Sequence, residues 1–177
     1  SDQPLAAEHP TYLNVPLTKP ASSASNQQQR LYRKYNLAEV PGNHTISLLF
    51  RLNSAEGDLD RIIVADVDSM EQDAKISWLA RIQGGVWRVH DRNKTKDTGV
   101  TVMAGHVYRL TVEVASEKYK VTIEDLTNST SYTSPELTFR NSDKVNGILA
   151  FYLIPKTPAE GESVLDCSIG GIEIKAQ

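Results

Sequence analysis

A chain of 177 residues with 40% hydrophobic and 23% charged residues has the length of one ordinary domain and a globular composition, which excludes a disordered or collagen-like chain. Its 19 Lys and Arg against 22 Asp and Glu give a net charge of -3, which argues against a nucleic-acid partner held through phosphates. No apolar run approaches the length of a transmembrane helix, and a single cysteine, Cys167, excludes an intramolecular disulfide framework and a multi-cysteine metal centre.

Residues 1–30 carry Pro4, Pro10, Pro16 and Pro20 and a polar run at 22–29. They read as an extended N-terminal arm with one short strand over 12–17 and a flexible loop behind it, preceding one all-β domain over 31–177. Such an arm suits a linker from a preceding domain, and Ser1 in place of Met suits either a processed start or the boundary of an excised segment.

From residue 31 the dominant period is two. Ile46, Leu48, Phe50 and Leu52 alternate with Ser47, Leu49 and Arg51. Further strands are predicted over 61–68, 76–82, 86–91, 107–114, 119–125, 137–140, 148–154 and 168–175. Each is bounded by Gly, Asn, Asp, Ser or Pro, the signature of an antiparallel sandwich or barrel. No segment sustains a helical period; only 69–75 suits a single turn.

Two hairpins can be read in register. Gln83-Gly84-Gly85-Val86 places Gly-Gly at the centre of a two-residue type I′ loop. Gln83 then pairs with Val86, Ile82 with Trp87, Arg81 with Arg88, Ala80 with Val89 and Leu79 with His90. Trp78, Ala80, Ile82, Trp87 and Val89 share an apolar face, which makes both tryptophans structural; Arg81, Gln83, Arg88 and His90 share the other. In the second hairpin Val114 pairs with Tyr119, Val112 with Val121 and Leu110 with Ile123. Its opposite face matches Glu113 with Lys120, Thr111 with Thr122 and Arg109 with Glu124, each pair worth about 0.2–1 kcal/mol.

Arg81 opposite Arg88 breaks that pattern, because like charges directly across a ladder are destabilising. Three arrangements answer it. A carboxylate from Glu113, Glu124 or another strand lies beside them, or the two side chains splay into water, or together with His90 they offer donors to a glycan carboxylate or sulfate. The candidate ligand-binding residues are Arg81, Gln83, Arg88, His90 and Arg109.

The order of these strands, from His44–Arg51 through the Gly-Gly hairpin and Gly105–Val114 to a closing strand at 166–174, resembles the concanavalin A-like lectin and glucanase superfamily, laminin G-like jelly rolls in particular. The resemblance implies a two-sheet antiparallel β-sandwich with little or no helix, one sheet concave, on a secreted, periplasmic or cell-surface protein. It also implies glycan binding, adhesion or polysaccharide cleavage, among which fold alone does not choose. The expectation is a non-catalytic carbohydrate-binding or adhesion module. The alternatives are a polysaccharide lyase or glycoside hydrolase with its site on the concave face, and a spacer without a ligand.

Retaining glucanases of that superfamily need closely spaced carboxylates. Here Glu56, Asp58 and Asp60 flank Gly57 in a loop and Asp66-x-Asp68 ends a strand, so both groups read as solvated turns. Its alginate-type lyases use an Arg-rich strand, a Gln-x-His and a Tyr. Arg81, Gln83, His90, Tyr108 and Tyr152 supply those residue types without that spacing. The resemblance also admits a structural calcium, with Asp66, Asp68, Asp73 and Asp166 as candidate oxygen donors. His9, His44, His90 and His106 show no zinc spacing and read as surface or hydrogen-bonded residues. Cys167 reads as a buried apolar residue, and Gly170-Gly171 as a bulge in the last strand.

Overall fold

Alternation decides which side of each strand faces the main core; the computed structural model describes residues 12–20, 28–39, 43–54, 59–71, 73–155 and 162–177. The strands are β1 (Tyr12–Pro20), β2 (Gln29–Lys34), β3 (His44–Ser54), β4 (Leu59–Val67), β5 (Ile76–Gln83), β6 (Val86–Asp91) and β7 (Lys94–Thr101). They continue as β8 (Val107–Ala115), β9 (Lys118–Asp125), β10 (Thr130–Thr133), β11 (Leu137–Thr138), β12 (Ile148–Pro155) and β13 (Glu162–Ala176). One sheet runs β1-β13-β3-β8-β9-β10, with β11 also on β9; the other runs β2-β12-β4-β5-β6-β7. Neighbours pair antiparallel throughout both sheets. The result is a two-sheet antiparallel sandwich with no helix among the described residues, 69–71 and 73–75 included.

The inner faces meet in one core. Trp78, Ala80, Ile82, Trp87 and Val89 are all fully buried, as are Leu110, Val112, Val121 and Ile123 from the facing sheet. Trp87 stands edge-on to Phe50 with ring centroids 5.9 Å apart, a favoured aromatic geometry. Both hairpins have the predicted register: Gln83 to Val86 through Ala80 to Val89 in the first, and Val114 to Tyr119 through Leu110 to Ile123 in the second. The first turn works because Gly84 and Gly85 take φ of 61° and 73°, values that residues with a Cβ avoid. Cys167 is buried among apolar neighbours, which pushes its thiol up to about 12. The register shift between Gly170 and Glu173 is the bulge expected there.

Three strands escape the sequence reading: β2, β7 and β10. All three are sheet edges, where one side of the backbone meets solvent and few apolar residues are needed. Conversely the strand predicted at 137–140 stops at Thr138. The Phe139 amide donates to the Glu117 carbonyl and the Arg140 amide to Ser77, so the chain passes from one sheet to the other at this point. The strand predicted over 12–17 extends to Pro20 and pairs with β13. Residues 1–11, most of the polar run at 22–29, and Glu56 and Asp58 lie outside the described residues.

Asp66 departs from its expected place in a solvated turn. It is buried, and its carboxylate accepts from the Tyr35 hydroxyl at 2.8 Å, the Ser77 hydroxyl at 2.6 Å, and the Asn146 and Gly147 amides at 2.7 and 2.9 Å. These donors tie together the segment after β2, strands β4 and β5, and the loop before β12. Burial pushes the Asp66 carboxyl above the usual range against the pull of its four donors.

Candidate functional site

The outer side of the six-stranded sheet collects the polar residues that alternate with the core. Arg81 and Gln83 project there from β5, Arg88 and His90 from β6, and Thr95 and Asp97 from β7. Arg81 is paired directly with Arg88, Arg88 with Asp97, and His90 with Thr95. Arg140 reaches the same place from the crossing between the sheets. The Arg61, Arg88 and Arg140 charges, after burial, lower the Arg81 guanidinium pKa.

His90 is only 5% exposed. Burial first, then the Arg81 and Arg140 charges, drives its pKa down to about 4, so the ring is neutral at physiological pH. Its Nε2 lies 3.2 Å from the Thr95 hydroxyl, which accepts a hydrogen bond from Arg81 Nη2 at 3.0 Å. The backbone beneath is fixed from the core, where the Tyr119 hydroxyl donates to the His90 carbonyl. Four buried polar atoms here meet no hydrogen-bond partner among the described residues: Arg81 Nε, Gln83 Oε1, Arg88 Nε and His90 Nδ1. Arg88 Nε is 3.8 Å from Asp97 Oδ2, an ion pair but too long for a hydrogen bond.

The far half of this face is aromatic. Arg30 lies over the Tyr152 ring at 5.4 Å, and Tyr152 meets Tyr32 edge-on at 6.2 Å. Burial, with Tyr32 beside it, pushes the Tyr152 phenol up to about 12. Beyond these rings Ala65, Val67, Leu79 and Ala150 form a small buried cluster. There the Tyr32 hydroxyl donates to the Met70 carbonyl of the β4–β5 loop at 3.2 Å.

Four of the five predicted ligand-binding residues therefore share one surface, and Arg109 does not. It belongs to β8 in the other sheet, faces away from the core, and pairs with Glu124 at 3.7 Å. Glu113 and Glu124 are on that second sheet too, so neither offsets the Arg81–Arg88 repulsion; the near carboxylate is Asp97, from a strand the sequence did not announce. Arg61 could have been found by its parity with Ile63 in a predicted strand, whereas Thr95, Asp97, Arg30 and Tyr32 lie on edge strands without an apolar signal. Tyr108, with its hydroxyl on the Thr101 carbonyl and the Met103 amide, is a core residue and not part of this surface.

The calcium candidates do not gather. Asp66 is engaged with its four donors, Asp68 accepts from the Lys75 amide, and Asp166 lies in the other sheet beside Asn53. Among the described residues no group of three or more His, Cys, Asp or Glu is placed to hold a metal. His106 is hydrogen-bonded, its Nδ1 2.8 Å from Asp125, and His44 is buried.

No protein-family model and no curated protein sequence matches the chain. Solved structures do. An alginate lyase of polysaccharide lyase family 7, AlgAT5, aligns over 92% of this chain and 77% of its own with a TM-score of 0.54 at 13% identity. The alginate lyase from Klebsiella pneumoniae aligns over 93% and 81% with a TM-score of 0.56 at 9% identity. At such identities the likeness is one of fold, and that fold is the concanavalin A-like jelly-roll β-sandwich.

Proposed function

We propose that this chain is a non-catalytic module that binds an acidic polysaccharide across the outer face of its six-stranded sheet, on a secreted or cell-surface protein. The observation carrying this reading is the set of four buried polar atoms on Arg81, Gln83, Arg88 and His90 that make no hydrogen bond among the described residues. Each such group costs roughly 1–3 kcal/mol when left unsatisfied, and adjacent strands place all four on one face. A carboxylate or sulfate would take up the guanidinium N–H groups, and a sugar hydroxyl would supply Gln83 Oε1 with its donor. The positive field of Arg61, Arg81, Arg88 and Arg140 attracts a polyanion despite the net negative chain. The partly exposed Tyr152 ring, two strands from Arg81, suits the apolar side of a neighbouring sugar.

The test is binding of a polyuronate, a sulfated polysaccharide and a neutral glucan at two salt concentrations. Binding confined to the acidic polymers, weakened by salt and lost in the Arg81→Gln/Arg88→Gln double variant, supports the reading. Equal binding to the neutral glucan, or binding that the double variant leaves intact, overturns it.

A second reading, polysaccharide lyase, is favoured by one observation: His90 is held neutral among cations, as a general base must be. Uronate elimination removes the proton at C5, breaks the C4–O bond and protonates the leaving oxygen. Tyr152, a candidate for that last proton, stands three strands from His90, roughly 14 Å at ordinary strand spacing, which favours the binding module. Ultraviolet absorbance from the new C4–C5 double bond, present with the wild type and lost in His90→Gln, would establish the lyase instead.

A further inference from the structure

The neutral His90 ring must carry its proton on one nitrogen, and its neighbours decide which. Arg81 Nη2 can only donate, so the Thr95 oxygen 3.0 Å away accepts from it. The Thr95 hydroxyl proton then has a ready acceptor in His90 Nε2 at 3.2 Å. A chain of donors runs Arg81 to Thr95 to His90 Nε2 and leaves the proton on Nδ1. That nitrogen is buried and has no hydrogen-bond partner among the described residues. Arg88 Nε and Arg81 Nε, also without a hydrogen bond among the described residues though Arg88 Nε is ion-paired with Asp97 at 3.8 Å, lie on the same face at directly paired positions.

We propose that Arg81 Nε, Arg88 Nε and His90 Nδ1 form one oxyanion seat, with Thr95 the positioning residue that keeps Nδ1 a donor. This rests on the acidic-polysaccharide reading for its natural ligand but not for its geometry. The three N–H groups sit on one face of adjacent strands and add no third charge, since the imidazole donates while neutral. A seat made only of donors takes a sulfate or carboxylate oxygen and leaves a hydroxyl proton without an acceptor. It also removes His90 as a base: Nε2 is occupied by Thr95, and Nδ1 already holds a proton.

The experiment is nitrogen NMR of the histidine rings in the intact chain, with the His90 signals assigned by their disappearance in His90→Gln. Ring-nitrogen shifts distinguish the two tautomers directly. The expected result is the Nδ1–H form in the wild type, with shifts that move on adding sodium sulfate and not on adding sodium chloride of equal ionic strength. Thr95→Val, a β-branched replacement suited to a strand, is expected to revert His90 to the Nε2–H form that free imidazole side chains favour. It should also weaken sulfate binding roughly tenfold, the loss of about one charge-assisted hydrogen bond; Thr95→Ser should restore both. An Nε2–H tautomer in the wild type overturns the relay, and sulfate that leaves the His90 signals unmoved overturns the seat. If sulfate moves His90 but no acidic polymer binds, the seat stands and the polysaccharide reading falls. If acidic polymers bind while His90 stays silent to both, the polysaccharide reading stands and the seat falls.

Discussion

Arg81 and Arg88 are directly opposed across the β5–β6 ladder, and the carboxylate beside them, Asp97, stands 3.8 Å from Arg88 on the next strand. In the other sheet the same kind of position holds a complementary pair, Arg109 with Glu124. Like charges directly opposite each other cost about 0.2–1 kcal/mol, so the β5–β6 hairpin carries a small instability that its own residues do not relieve. Arg88→Gln should leave the fold intact and raise stability by up to about 1 kcal/mol, or roughly 2–4 °C in melting temperature. The same change should lower affinity for a polyuronate by roughly tenfold or more. Paired thermal melts and binding isotherms check this. A variant that loses stability along with binding would make the pair a structural element rather than a ligand site.

Asp97 competes with any anion for Arg88. It is more than half exposed, and its Oδ1 accepts from the Gly99 amide at 2.9 Å. Asp97→Asn keeps that acceptor and removes the charge, so the turn should survive. Affinity for acidic polymers should rise by roughly three- to tenfold, with a steeper loss on adding salt, because the face gains one net positive charge. Titrations at low and at moderate ionic strength would measure both effects. Affinity unchanged at both would remove Asp97 from the account.

Interior strands declare themselves in this sequence because each must bury one face. The parity of Trp78, Ala80, Ile82, Trp87 and Val89 fixes the register of the first hairpin and sends Arg81, Gln83, Arg88 and His90 to the opposite side. Edge strands owe no such debt. β7, with Lys94, Thr95, Lys96 and Asp97, contains almost nothing apolar, so the partners of His90 and Arg88 stay hidden until the ladder is seen. Arg109 shows the limit from the other side: parity says that it points outward but not from which sheet, since strands adjacent in sequence need not be neighbours in a sandwich. Asp66 is illegible for a third reason. Its burial depends on four donors drawn from positions 35, 77, 146 and 147, a convergence that no local pattern carries.

That convergence makes Asp66 a fastener between segments far apart in the chain. Asp66→Asn puts an NH2 group where the carboxylate accepted, facing donors that then have nothing to bond. The loss should be about 3 kcal/mol, in the range for breaking a buried hydrogen-bond network, or roughly 6–12 °C in melting temperature. Tyr35→Phe removes a single donor and should cost only about 1 kcal/mol. Chemical denaturation of the two variants beside the wild type measures the difference. Equal and small losses would show that water replaces the missing partners.

His90 makes stability depend on pH in a direction that can be worked out. Its folded pKa, about 4, lies below the roughly 6.5 of an unfolded chain. Above that upper value the ring is neutral in both states and contributes no pH dependence. As the pH falls from there towards 4, the unfolded chain binds a proton that the folded one refuses, so stability declines; below 4 the decline levels off. The full shift would be worth more than 3 kcal/mol, and water reaching the edge of the site reduces it to roughly 2 kcal/mol. Asp66 acts oppositely in acid, because a carboxyl raised by burial favours the folded state once it is protonated. The wild-type curve alone therefore mixes the two, and the comparison that isolates His90 is with His90→Gln. Urea unfolding of both proteins between pH 7 and pH 4 should show wild-type stability falling relative to the variant by that amount. Saturating sulfate should shrink the gap, since an anion on the seat makes the imidazolium less costly. Parallel curves for the two proteins would mean that the His90 ring titrates normally and that its cationic neighbours are screened by water.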